Sequence, residues 1–390
     1  CLSVLFLFCF FPDAPEHMLS IDSLIRTSSA AIVGSQIDPQ QRRGRGAVTN
    51  ASGRFERFVR EAAFDDAVGL EDLAPFRTEI TMEKAKTIIT RNDSPDLSFD
   101  RSINPYRGCE HGCAYCYARP SHTYLGLSAG LDFESRLYVK ADAAALLERE
   151  LAAPRYQPRT IALGANTDPY QPIEREQRVT RSILEVLARF NHPVGIVTKS
   201  ALVTRDIDLL GPMAEKNLVK VALSVTTLDR GLARKLEPRA ATPGLRLDAI
   251  RRLSEAGIPV TVLVAPVIPA INDHEIERIL EAAREAGARE AGYILLRLPL
   301  EVRDIFAEWL ATNAPDKARH VLSLIRSTRG GKDYDARFSV RQTGDGPFAW
   351  LIGRRFELAC DRFGFQRKRL KLDCTRFRAP AGESRQLSLF

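Results

Sequence analysis

Cys109, Cys113 and Cys116 stand in the run Arg-Gly-Cys109-Glu-His-Gly-Cys113-Ala-Tyr-Cys116-Tyr. Thiolates this close together can fold around one metal centre, and soft sulfur ligands select zinc or iron–sulfur over hard cations. A cubane cluster usually has a cysteine on every iron. This run offers three cysteines, so one iron would keep open coordination positions. An open position marks a reactive metal site rather than a purely structural one. The alternative is a zinc knot with His111 or His122 as fourth ligand. Cys113 and Cys116 match the first half of a zinc pattern, but no second Cys or His pair follows at the required distance.

Such ligands need elements to position them. From about Asp100 onward, short β-branched runs alternate with amphipathic helices. Strands are predicted at 102–104, 160–164, 194–198, 219–225, 260–264 and 293–297. The last five are near-continuous apolar runs, as expected of parallel strands covered on both faces. Val179, Ile183, Leu187 and Phe190 repeat at helical spacing, as do Ile276, Ile279, Leu280 and Ala283, and these stripes read as core. Gly257 and Gly287 mark helix stops before the next strand.

Six β–α repeats predict an α/β fold, a partial (β/α)6 TIM-type barrel whose chemistry gathers at the C-terminal ends of the strands. The cysteine run follows the first strand and lies at that end. Composition alone does not separate this fold from a doubly wound sheet. Residues 1–17 read as upstream sequence before a start at Met18, 18–98 as an N-terminal extension wrapping the core, and 99–300 as the core itself. Residues 301–390 read as a helical C-terminal region, with helices at 303–310, 317–327 and 348–363 and a polar, basic tail.

The spacing C-x-x-x-C-x-x-C, with an aromatic before the last cysteine, resembles the signature of the radical SAM superfamily. The resemblance implies that Cys109, Cys113 and Cys116 hold a 4Fe–4S cluster. It implies that S-adenosylmethionine (SAM) chelates the remaining iron, and that the reduced cluster cleaves SAM to a 5′-deoxyadenosyl radical. Tyr115 would lie beside the adenine. Past the second strand, Asn166, Thr167 and Asp168 are placed to hydrogen-bond the ammonium of SAM, where many members carry a Gly-Gly-Glu motif that this chain lacks. A self-satisfied Asp-Pro turn is the other reading of that segment.

Thr198-Lys199-Ser200 and Leu223-Ser224 resemble strand ends of spore photoproduct lyase, which implies that Lys199 and Ser224 contact the SAM carboxylate or ribose. A lysine snorkelling at a barrel rim is the alternative for Lys199. The apolar stretch 265–269 suits a wall of the adenine pocket. The chain as a whole resembles a bacterial branch grouped with the DNA photoproduct lyases. Spore photoproduct lyase draws hydrogen from a cysteine near its substrate, and 164–174 contains none.

With 45% hydrophobic and 27% charged residues over 390 positions, the chain can bury a large core. Cys1, Cys9, Cys360 and Cys374 are scattered, so the seven cysteines are no disulfide framework. A thiolate cluster belongs in a reducing compartment, and the cytoplasm is expected. Residues 2–11 are almost wholly apolar but too few to span a bilayer, and no membrane partner is expected.

The net charge is +7, and 351–390 holds ten Arg or Lys against four Asp or Glu. The densest run is Arg367-Lys368-Arg369-Leu370-Lys371, with a second at Arg42-Arg43-Gly44-Arg45-Gly46. These read either as solvated faces or as a phosphate-tracking surface. The leading function is a radical SAM enzyme, with lyase-like chemistry one option. Its substrate is unknown, a nucleic acid or a peptide, and its electron donor is a protein such as flavodoxin or ferredoxin. The alternative is a non-enzymatic nucleic-acid-binding protein stabilised by zinc or a cluster.

Overall fold

The computed structural model describes residues 42–56 and 77–380. The expectations for 1–17 and for the final ten residues lie outside them. The main sheet contains β2 (Ile89–Arg91), β3 (Arg101–Ile103), β6 (Ile161–Leu163), β7 (Val194–Thr198), β8 (Val219–Ser224), β9 (Val260–Val267) and β10 (Glu290–Leu295). A smaller sheet joins β1 (Glu79–Met82), β4 (Tyr106–Arg107) and β5 (Arg136–Val139).

The main sheet runs β10-β9-β8-β7-β6-β3-β2. From β3 to β10 every neighbouring pair is parallel and in chain order, as successive β–α units dictate. The sheet does not close, and the six parallel strands form the partial barrel that the alternating pattern predicts. Along β7, Val194, Ile196 and Thr198 are buried while Gly195 and Val197 are half-buried. The half-buried set faces the concave interior, where Val197 and Leu263 line the central cavity.

The helix Val179–Arg189 buries Val179, Ile183 and Leu187, and Ile276–Glu285 buries Ile276, Ile279, Leu280 and Ala283. Gly257 and Gly287 take φ of +75° and +102° just past their helices, the left-handed cap that glycine adopts without strain. Beyond the strands, helices span Val302–Asn313, Ala318–Ser327 and Gly346–Phe363.

Several boundaries differ from the sequence reading. β2 joins the sheet edge antiparallel to β3, and the Glu150 carboxylate accepts the Ile88 and Ile89 amides beside it (2.6 and 3.2 Å). β9 continues to Val267 because Leu295 of β10 pairs with it. β10 begins at Glu290 and ends at Leu295, leaving Arg297 in the loop beyond. No described helix is long and apolar enough to cross a membrane.

Both basic runs have structural partners. Arg45 is buried, donating to the Glu134 carbonyl at 2.6 Å and to Thr78 at 3.0 Å. The C-terminal segment crosses the N-terminal ends of the strands. Gln366 N–H donates to Arg289 O (2.9 Å), Leu370 N–H to the Glu290 carboxylate, and Asp373 N–H to Asn217 O (2.9 Å). Lys220 reaches Leu370 O at 3.1 Å from inside β8. The run Arg367–Lys371 is therefore fixed at the end of the barrel opposite the cysteines.

Candidate active site

The chain leaves β4 through Gly108, whose φ of +78° turns the backbone into the cysteine loop. The loop is anchored along its length. Cys109 N–H donates to Phe133 O (2.9 Å), Ala114 N–H to Leu236 O (3.0 Å) and Cys116 N–H to Cys113 O (3.2 Å). Fully buried Arg119 donates to Cys113 O (2.9 Å), to Ala129 O and Gly130 O, and to Glu134 at 2.5 Å.

Glu134, also fully buried, collects the Gly46 and Ala47 amides at 2.9 and 2.8 Å. A strap from the N-terminal region thus lies directly on the cysteine loop. A Cβ at Gly46 would sit 1.6 Å from the Gly112 carbonyl oxygen, so only glycine fits there.

All nine residues singled out from the sequence line one cleft with about 950 Å3 of empty space, which includes its solvent-open mouth. Cys109, Cys113 and Cys116 form one side. Tyr115 belongs to the same loop, Asn166, Thr167 and Asp168 follow β6, Lys199 follows β7, and Ser224 ends β8. Ala265 and Pro266, inside β9, add apolar wall.

Their hydrogen bonding divides them. Thr167 donates its hydroxyl to Gly108 O (2.6 Å) and accepts from Gln171 (3.1 Å), so it braces the start of the cysteine loop. Asp168 accepts from the Thr198 hydroxyl (2.7 Å), the Lys199 amide (2.8 Å) and the Tyr170 amide (2.9 Å), and His111 lies 3.3 Å away. Burial alone would raise its carboxyl, but His111 and these donors hold it at about 2. The Asn166 side chain is exposed, and no protein group hydrogen-bonds the Ser224 hydroxyl among the described residues. Lys199 lies 5.8 Å from the centre of the Tyr115 ring, with no described carboxylate at ion-pair distance.

Sequence reasoning missed a buried network behind Tyr115. The Tyr115 hydroxyl and the Arg246 guanidinium both donate to Glu237, as does Thr226 at 2.6 Å. Arg246 also holds the Ser224 carbonyl at 3.0 Å. Burial would raise the Glu237 carboxyl, but Arg246 and Lys199 bring it down to about 2. No signal in one sequence separates such a pair from ordinary helix-surface charges. Arg246→Met, which strands a buried carboxylate, should cost about 3–5 kcal/mol. Thermal unfolding checks this, and a loss below about 1 kcal/mol would show the pair to be dispensable.

The three cysteines are free thiols. Burial is the largest influence on each and raises all three thiols, so they resist ionising unless a positive centre joins them. Among the described residues no three His, Cys, Asp or Glu side chains converge as the ligands of a single ion must. A zinc knot holds its sulfurs about 2.3 Å from one point. Thiols set around a cavity wall instead fit a multi-iron cluster, each sulfur meeting its own iron. Each expected zinc partner has one ring nitrogen engaged by the protein, and neither converges with the thiols on a single point among the described residues. His122 is buried with its Nε2 2.8 Å from Arg136 O, and His111 faces Asp168. The donor set fits an iron–sulfur cluster and not a zinc knot.

The family model of the radical SAM superfamily matches residues 103–283. The chain belongs to the radical SAM superfamily. An uncharacterized protein of Mycobacterium tuberculosis is 38% identical over 232 residues, covering 59% of this chain and 68% of that one. The radical SAM Nalpha-GlyT isomerase of Pseudomonas phage M6 is 29% identical over 205 residues, 48% of this chain and 39% of that one. A spore photoproduct lyase variant with bound AdoMet and dinucleoside spore photoproduct matches with a TM-score of 0.53 at 17% identity, over 73% of this chain and 79% of that one. At that identity the likeness is one of fold. The protein is a radical SAM enzyme, and the superfamily implies SAM and an iron–sulfur cluster.

Proposed function

We propose that Cys109, Cys113 and Cys116 hold a 4Fe–4S cluster and that SAM occupies the cleft beside them. The observation that carries this is three free thiols on one cavity wall, two buried and one half-buried, without single-ion geometry and beside a lysine that has no carboxylate partner among the described residues. When bound, the reduced cluster and SAM supply a 5′-deoxyadenosyl radical for hydrogen abstraction.

The chain's own residues bind and orient. The Lys199 ammonium meets the SAM carboxylate as a charge-assisted donor. Ser224 offers its hydroxyl to ribose or carboxylate, and Asn166 offers its side-chain amide to the ammonium end. Thr167 and Asp168 are positioning residues in this reading, because their side chains already brace the cysteine loop and the end of β7. The Tyr115 ring, fixed from behind by Glu237, lies beside the adenine, with Ala265 and Pro266 as its apolar wall.

A flavodoxin or ferredoxin serves as electron donor, and a nucleic acid or peptide is the substrate. Residues 18–98 act as an extension around a core of 99–300. The hydrogen-donating cysteine implied by the resemblance to spore photoproduct lyase has no counterpart among the described cavity-lining residues. Cys360 lies on the helix Gly346–Phe363, and Cys374 on the segment crossing the far end of the barrel. Thiol-dependent photoproduct repair is therefore left out of the proposal.

Anaerobic protein reduced with dithionite in the presence of SAM should release 5′-deoxyadenosine. A cluster-bearing, reduced protein that leaves SAM intact would contradict the proposed use of the cleft.

A further inference from the structure

Arg297 differs from every arginine near it. Arg119, Arg246, Arg329 and Arg341 each bind carbonyl or carboxylate oxygens at short range. Arg297 has no carboxylate at ion-pair distance among the described residues. Among those residues its one hydrogen-bond partner is the Tyr334 hydroxyl at 3.4 Å, and its Nε is buried without a partner. A guanidinium N–H held out of water without an acceptor is costly unless something else supplies an oxygen.

Its position says where that oxygen comes from. Arg297 follows β10 at the cysteine end of the barrel and lines the same cleft as the three thiols. It lies 5.1 Å over the ring of Tyr117, the residue after Cys116. Tyr117 is 44% exposed, and its hydroxyl is tied to Ala165 O at 2.5 Å, so ring and guanidinium form a fixed pair at the mouth. Arg329 binds the carbonyls of Leu295 and Leu296 (3.4 and 2.8 Å), fixing the loop that carries Arg297.

Two cations thus face the cleft without carboxylates, Lys199 after β7 and Arg297 after β10. SAM has one carboxylate, and in the reading above Lys199 takes it. Arg297 is left for an anion on the substrate.

We propose that Arg297 and Tyr117 form a subsite for a phosphodiester of the substrate, with the guanidinium on phosphate oxygens and the exposed ring available to an adjoining base. This rests on the SAM-site reading. The guanidinium fork matches phosphate oxygens in pairs, and an arginine beside an aromatic face suits a unit that carries both phosphate and a flat ring. A peptide carboxylate would use the cation but not the ring. The basic run Arg367–Lys371 cannot perform this task, because it is fixed at the other end of the barrel.

The test uses anaerobic, cluster-loaded, SAM-saturated protein titrated with thymidylyl-thymidine and with its uncharged methylphosphonate. The phosphodiester should bind about tenfold more tightly, as loss of a charge-assisted hydrogen bond implies. Arg297→Gln should erase that preference and Arg297→Lys should keep part of it, with SAM affinity unchanged in both. Equal binding of the two probes by the unaltered protein overturns the proposal. It is overturned equally if Arg297→Gln weakens SAM instead, or if it weakens acetyl-Glu-Gly-amide and not the dinucleotide. Failure of the unaltered protein to bind SAM would sink the SAM-site reading instead, and the probe preference is read separately on the same sample.

Discussion

Cys113→Ala will give a folded protein that retains no iron and cleaves no SAM, and Cys109→Ala and Cys116→Ala will match it. Each thiol is proposed as the sole protein ligand of one iron, so no neighbour can take over a lost position. The fold should survive, because the loop is anchored mainly by its backbone and by Arg119, through bonds that do not involve sulfur. Cys360→Ala is the matched control. Cys360 packs on the hydrophobic core from the helix Gly346–Phe363 and is absent from the cleft. Iron analysis and thermal unfolding of the four variants separate metal loss from misfolding. Iron loss in Cys360→Ala would mean that the three-cysteine site is incomplete.

Gly46→Ala will have the next largest effect, although residue 46 lies 63 positions before the first cluster cysteine. Its new methyl would overlap the Gly112 carbonyl oxygen, which lies between Cys109 and Cys113. The clash is with backbone on both sides, so it is relieved only by lifting the strap off the loop. Lifting also withdraws two amide donors from the buried Glu134 carboxylate. Overpacking and lost hydrogen bonds together should cost about 3 kcal/mol or more. Iron retention should fall with stability, because the displaced loop is the one that carries the thiols. Wild-type melting temperature and iron content in Gly46→Ala would show that the strap is not needed. Gly44→Ala makes a useful contrast, since a Cβ there meets nothing within 4 Å and only its φ of +78° opposes the change.

Much of this architecture was legible because it is written in local pattern. The apolar runs at 194–198 and 219–225 are strands for the reason they look like strands, being β-branched and covered by helices. The cysteine spacing and the lysine and serine at strand ends could be read directly, and chain order then places them around one cleft. β2 and the small sheet were not legible. Strands of two to four residues carry no periodicity, and tertiary pairing alone defines them.

Charged residues misled in a systematic way. Arg45, Arg119, Glu134, Glu237 and Arg246 look like solvent-facing charges in a sequence, yet each is buried against a partner that only the fold supplies. The basic runs drew attention by density, and both have structural partners, whereas Arg297, a single charge ending an apolar run, lines the cleft with its Nε unpartnered. Thr167 and Asp168 drew attention by position, and their side chains proved to be occupied in bracing the loop.

The central claim is that the three thiols hold an iron–sulfur cluster. Iron and acid-labile sulfide measured on anaerobically purified protein test it most directly. About four of each per chain are expected, as a cubane requires, with loss of both in Cys113→Ala. Stoichiometric zinc with no sulfide would contradict it.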